Sequence, residues 1–184
     1  VVEATLISEA DPAAGNRSVR WWVVYEIARM AGFYAAHGVW SVSDGEALIP
    51  FLGYAQVDGK QGMQRLVGDD ALRSAQDAFG AGRDDWVRAV LVVDAYLHLD
   101  TGRTDALIVD AADYGPARRT VKMAVPYRPG AAPQGFAVYR PKFMEVVGVD
   151  DPDYAALADA FFAGVDSHER AAAVWNAHLV DESV

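Results

Sequence analysis

The chain has no cysteine, which rules out disulfides, a thiolate nucleophile and any metal site built on sulfur. That suits a reducing cytoplasm, where the protein is expected to work. Basic residues are scarce beside acidic ones: 16 Lys and Arg against 26 Asp and Glu leave a formal charge of −10. A field of that sign disfavours nucleic acid and an anionic membrane as non-specific partners. No apolar run has the length of a membrane span. The densest, from Val19 to Trp40, is interrupted by Arg20, Glu26, Arg29 and His37, so no membrane role is expected. The sequence starts Val1-Val2-Glu3 rather than with Met, as a processed or trimmed end would, and no signal peptide is visible.

The motifs that announce chemistry are missing too. There is no Walker loop, no nucleotide-binding glycine fingerprint, no HExxH pair and no GxSxG elbow. Gly80-Ala81-Gly82 follows helical rather than strand periodicity, so it reads as a connector. The four histidines, His37, His98, His168 and His178, are scattered along the chain. No metal site and no cofactor is implied, although a site assembled in three dimensions stays open.

What is present is the composition of a folded domain. The 184 residues are 52% hydrophobic and 23% charged, enough for one sizeable core, and residues 1–184 are taken as a single α+β domain. Residues 1–16 read as an arm or a short strand. Asn16 or Ser18 caps a helix running to about His37, with Gly38 as its stop. Val19, Val23, Ile27, Met30 and Tyr34 keep helical spacing, and Trp21, Val24 and Phe33 place apolar groups on the other side, so this helix is expected to be buried on more than one face. The adjacent Trp21 and Trp22 read as core.

WSVSDGEALIP (residues 40–50) carries two conflicting signals. Ser43 and Glu46 form a capping box, whereas Asp44-Gly45 between apolar runs is a hairpin turn. Pro50 and Gly45 count against the helix, so the expectation is a hairpin pairing Val42 with Ala47 and Trp40 with Ile49. Residues 60–80 read as helical, with a kink or break near Gly68.

The clearest strand is Val87 to Leu99, whose odd positions are all apolar. With the next strand, Thr104 to Ala112, a three-residue loop at Asp100-Thr101-Gly102 aligns the apolar parities, pairing Val93 with Val109 and Ala95 with Leu107. Residues 119–127 make a third strand and Phe136 to about Val147 a fourth. Asp151-Pro152-Asp153 and the Asp166/Glu169 capping box start two closing helices. The expected fold is α+β: an antiparallel sheet, made of an N-terminal hairpin and a four-stranded meander, packed with helices in the order α-ββ-α-ββββ-αα.

Two features rise above this background. In the expected register Asp94, Tyr96, His98 and Asp110 share the polar face of the central hairpin, and a carboxylate, a phenol and an imidazole together suit acid–base work. The second is a segregation of charge. From Tyr114 through Met144 there is no acid, yet Arg118, Arg119, Lys122, Arg128, Arg140 and Lys142 lie there. If all four strands bury their odd parity, Lys122, Arg140 and Lys142 join the same surface, although Phe136 and Val138 favour the other parity for the fourth strand.

The leading expectation is a non-enzymatic binding or protein-interaction module that uses this basic sheet surface. Its partner would be an acidic protein, a second copy of this acidic chain, or an anionic small molecule. The alternative is an enzyme or sensor with a pocket for an anionic small molecule. Tyr96, Lys122, Arg140 and Lys142 would then bind the ligand, and His98 would be the acid–base group, tuned by Asp94 or Asp110. An enclosed cleft would favour the second reading and a flat surface the first. Internal partners for every one of these charges would remove support from both.

Overall fold

The computed structural model describes residues 12–100 and 102–184. Residues 1–11 of the expected arm lie outside the described residues, whereas 12–16 are already helical. The elements are α1 (Pro12–Val42), β1 (Phe51–Gln56), β2 (Gln61–Arg65), α2 (Ala71–Ala81), β3 (Trp86–Leu99), β4 (Gly102–Asp113), β5 (Arg119–Arg128), β6 (Ala137–Val138), β7 (Lys142–Val147), α3 (Tyr154–Asp166) and α4 (Glu169–His178). The seven strands form one antiparallel sheet in the order β2-β1-β3-β4-β5, with β6 and β7 both pairing the far edge of β5. The expected α+β class and element order hold, the fourth meander strand being split at Tyr139–Pro141 into β6 and β7.

α1 is apolar nearly all round because it is a middle layer. Val24, Ile27, Ala31, Ala35 and Val39 are buried with Val90, Val92, Leu107, Val109 and Met123 of the sheet in one cluster. Leu157, Phe161 and Val165 of α3 and Trp175 of α4 belong to the same cluster and close the other side of α1. A smaller core lies on the opposite face of the sheet, where Ala75 of α2 packs with Leu52, Trp86, Ala89, Leu91 and Val93. Among the described residues no helix is long and apolar enough to cross a membrane.

Several local expectations are corrected. No hairpin forms over Asp44-Gly45: α1 continues through Trp40 to Val42, and the Gly45 N–H donates to Val42 O at 3.1 Å with φ +90°. This Asp-Gly pair therefore ends a helix. Gly38 is not the stop but a point where α1 lies close against the sheet; a Cβ there would come 2.8 Å from Leu107 Cδ1 and 3.1 Å from Val92 Cγ1. The hairpin belongs to the second Asp-Gly pair, Asp58-Gly59, between β1 and β2, closed by Gln56 N–H to Lys60 O at 2.8 Å. The helical reading of 60–80 consequently holds only for α2, since residues 61–65 are the edge strand β2.

The β3–β4 register also differs by one residue from expectation. Val92 pairs Val109, Val93 pairs Ile108, and Leu99 pairs Gly102. Parity matching fails here because α1 and α2 cover opposite faces of β3, so both parities are apolar. The α3 cap is Asp153 rather than Asp151, and the α4 cap is His168 rather than Asp166. Trp22 is 58% exposed, with the Arg88 guanidinium 5.5 Å from its ring centroid, so it is not core.

Candidate functional site

The shifted register separates the residues singled out on the sheet. Asp94, Tyr96 and His98 share the α1 side of β3, exposed toward the end of the β3–β4 ribbon. Tyr127 Oη donates to Asp94 Oδ1 at 2.9 Å. Burial raises the Asp94 carboxyl pKa, while that hydrogen bond pulls it down. Arg103 sits 4.0 Å over the Tyr96 ring. Asp110 is directly opposite Leu91 and Lys122, on the other face of the sheet. The expected grouping of Asp94, Tyr96 and His98 with Asp110 and Lys122 on one surface therefore does not form, because one residue of register reverses every side chain.

The bases find internal partners. Lys122 Nζ lies 3.2 Å from Asp110 Oδ1, Arg140 pairs with Asp181, and Lys142 Nζ donates to Ser183 Oγ at 2.9 Å. Arg128 donates to the carbonyls of Gln134 and Gly135, and Arg118 to those of Phe79 and Gly80. Arg119 faces Asp113 at 4.0 Å. The acid-free segment is thus matched by acids, carbonyls and one hydroxyl, several of them from outside it.

A different cluster assembles beside α1. Helical spacing sets Phe33, Tyr34, His37 and Trp40 along one side of that helix. The tight α3–α4 junction brings His168 against them, and the β1–β2 hairpin brings Gln61, Gly62 and Met63. Together Phe33, Tyr34, His37, Gln61, Gly62, Met63 and His168 line an open cavity of about 310 Å³. Phe33 stacks on His168 with centroids 4.6 Å apart, and His37 meets Phe51 and Trp40 edge-on at 5.3 and 5.6 Å. Tyr34 Oη donates to Gly62 O at 2.8 Å, tying the hairpin to the helix. Burial, then proximity to Tyr54, pushes the Tyr34 phenol up to about 12, so it stays a donor at neutral pH.

The histidine protons follow from one backbone group. Ala171 N–H is a donor only, and it reaches His168 Nδ1 at 3.3 Å. His168 must therefore carry its proton on Nε2. That atom lies 3.2 Å from His37 Nδ1, so His37 Nδ1 accepts and its own proton resides on Nε2. His37 Nε2 is enclosed and has no hydrogen-bond partner among the described residues. Burial first, then His168 and Arg65, lower the His37 pKa to about 4, which keeps the ring neutral at physiological pH.

Two facing imidazole nitrogens at this separation resemble a pair of metal ligands, but the donor set does not fit a metal, since the cap leaves a proton on one of them. Among the described residues there is no group of three His, Asp or Glu able to hold a metal ion. Further cavities of about 300 and 340 Å³ flank this one along α1, the first with Glu26, Arg29 and Arg88 on its walls, the second with Trp40, Phe51 and Arg65. Sequence reasoning missed the pair because His37 and His168 are separated by 131 positions, and no spacing rule connects them. The available signals were local: His37 on an apolar helical stripe, and His168 between two helix-forming segments.

Comparison of the chain with models of known protein families, with curated proteins and with solved structures finds no match.

Proposed function

We propose that this protein binds a small molecule in the cavity between α1, β2 and the α3–α4 junction, as a sensor or an enzyme. The observation that carries the reading is the pairing of His37 with His168 inside an aromatic-walled recess, with a polar hydrogen left over. Ligand sites commonly combine apolar walls with a few directed polar groups. The recess supplies both, whereas Lys122, Arg140 and Lys142 already have partners. A basic interaction surface is therefore the weaker proposal, and His98 is replaced as the histidine of interest by His37.

The test is a thermal-shift screen of small metabolites on wild type and on Met63→Trp. Met63 is exposed on an edge strand, so the larger side chain should fill the cavity mouth without disturbing the core. A ligand at about one hundred times its Kd adds about 2.7 kcal/mol of stability. Stabilisation that is present in wild type and absent in a folded Met63→Trp protein supports the proposal. Ligands that stabilise both proteins equally would place binding elsewhere.

A further inference from the structure

Resting on that reading of the cavity, we infer that its ligand presents a carboxylate or carbonyl oxygen, on an apolar body, to a neutral His37 acting as a hydrogen-bond donor through Nε2. The argument begins with proton direction. Ala171 N–H, His168 and His37 form a chain in which each donor points the same way, and it ends on an enclosed N–H without an acceptor among the described residues. Leaving such a donor unpaired is unfavourable, and only an acceptor can satisfy it. A cationic ligand group, which has hydrogens and no lone pair to offer, cannot.

The walls point the same way. Among the described residues no carboxylate lines this cavity, so a cation would find no counter-charge from them. Asp44 and Glu46 border the adjoining cavity with Arg65 instead. Arg65 is close enough to His37 to disfavour its protonation, and it forms no ion pair among the described residues. Its field favours an anion. Phe33 and Met63 would hold the apolar body. Because His37 Nε2 is closed to solvent, the acceptor arrives with a movement of the wall, and Met63 is unbranched and exposed.

Three probes of one shape separate the alternatives: benzoate, benzamide and benzamidine, which differ in carrying an anionic acceptor, a neutral acceptor or a cation. Long-range proton–nitrogen NMR of the full chain at neutral pH reads the His37 tautomer directly, and titration of each probe reads binding at His37 and Met63. The expected result is an Nε2–H tautomer, with benzoate and benzamide each binding about tenfold or more tighter than benzamidine, because benzamidine leaves the enclosed Nε2 hydrogen unpaired. In His37→Phe that preference should disappear. An Nδ1–H tautomer, or benzamidine binding as tightly as benzoate, overturns the inference and leaves the cavity reading standing. No response at His37 or Met63 to any probe near its solubility limit overturns both. Should His37→Phe fail to fold, the tautomer and the probe ranking on wild type still decide the matter.

Discussion

At the scale of single residues, His37 couples the cavity to pH. Its folded-state pKa, about 4, is lower than the ordinary histidine value of 6.5, so the unfolded chain binds the proton more readily. The stabilisation from keeping His37 neutral is present above pH 6.5 and is lost as pH falls toward 4. The melting temperature of His37→Phe should accordingly decline less than that of wild type over this window. Parallel curves would mean that His37 titrates normally. Lys122 and Arg140, by contrast, are expected to contribute little to stability. Both pairs reach solvent, with side-chain exposures of 39% and 24% for Lys122 and Asp110 and with Arg140 and Asp181 more open still. Exposed ion pairs contribute about 0–1 kcal/mol, so Lys122→Ala/Arg140→Ala should unfold in urea close to wild type. Severe destabilisation would reveal a structural role that their exposure does not suggest.

At the scale of elements, the α1–α3 crossing depends on two glycines. A Cβ on Gly32 would fall onto the carbonyl oxygen of Phe161, and one on Gly164 onto the carbonyl oxygen of Arg29. Each glycine thus lets the other helix backbone approach. Alanine inside a helix normally gains about 1 kcal/mol over glycine, but here the sign should reverse. Gly164→Ala is expected to lose about 3 kcal/mol or more through overpacking, read as a lower urea midpoint at unchanged slope. An unchanged midpoint would show that the helices can separate without loss. The β1–β2 hairpin is held to α1 by another close approach, the Tyr34 ring lying over Gly53 while its hydroxyl reaches Gly62 O. Tyr34→Phe keeps the ring and should cost about 1 kcal/mol. Hydrogen exchange should quicken in residues 61–65 before it does in β3 or β4, and uniform quickening would argue against a local tie.

At the scale of the whole molecule, the C-terminal residues close the sheet edge that β6 leaves open. Leu179 bridges Val138, Val180 N–H donates to Val138 O at 2.8 Å, and Arg140 N–H donates to Glu182 O at 3.2 Å. Asp181 and Ser183 occupy Arg140 and Lys142 in the same stroke. An unpaired edge is a template for association. Removing residues 179–184 should therefore raise the sedimentation mass relative to the full chain as concentration increases. Equal masses at every concentration would count against an edge-covering role.

The pattern of residues along the chain already determined the α+β class and the rough order of elements, though not the place of the first hairpin, which lies at 51–65 rather than 40–49. A 3.6 period across Val19–Tyr34 and alternation across Val121–Tyr127 are local properties, and they survive in α1 and β5. Apolar groups all round α1 likewise foretold its burial on more than one side. What the pattern left open is which of two equal local signals operates. Only Asp44-Gly45 was expected to turn a hairpin; packing of Val39 and Val42 against the core makes that pair a helix end, and the hairpin falls at Asp58-Gly59 instead. The β3–β4 register was equally undetermined, because two covered faces make both parities apolar. That single residue of register moved Asp110 and Lys122 away from Asp94, Tyr96 and His98. The candidate site itself belongs to the tertiary structure alone: His37 and His168 meet because α3 folds back along α1 at Gly32 and Gly164, a contact between distant residues that no local period encodes.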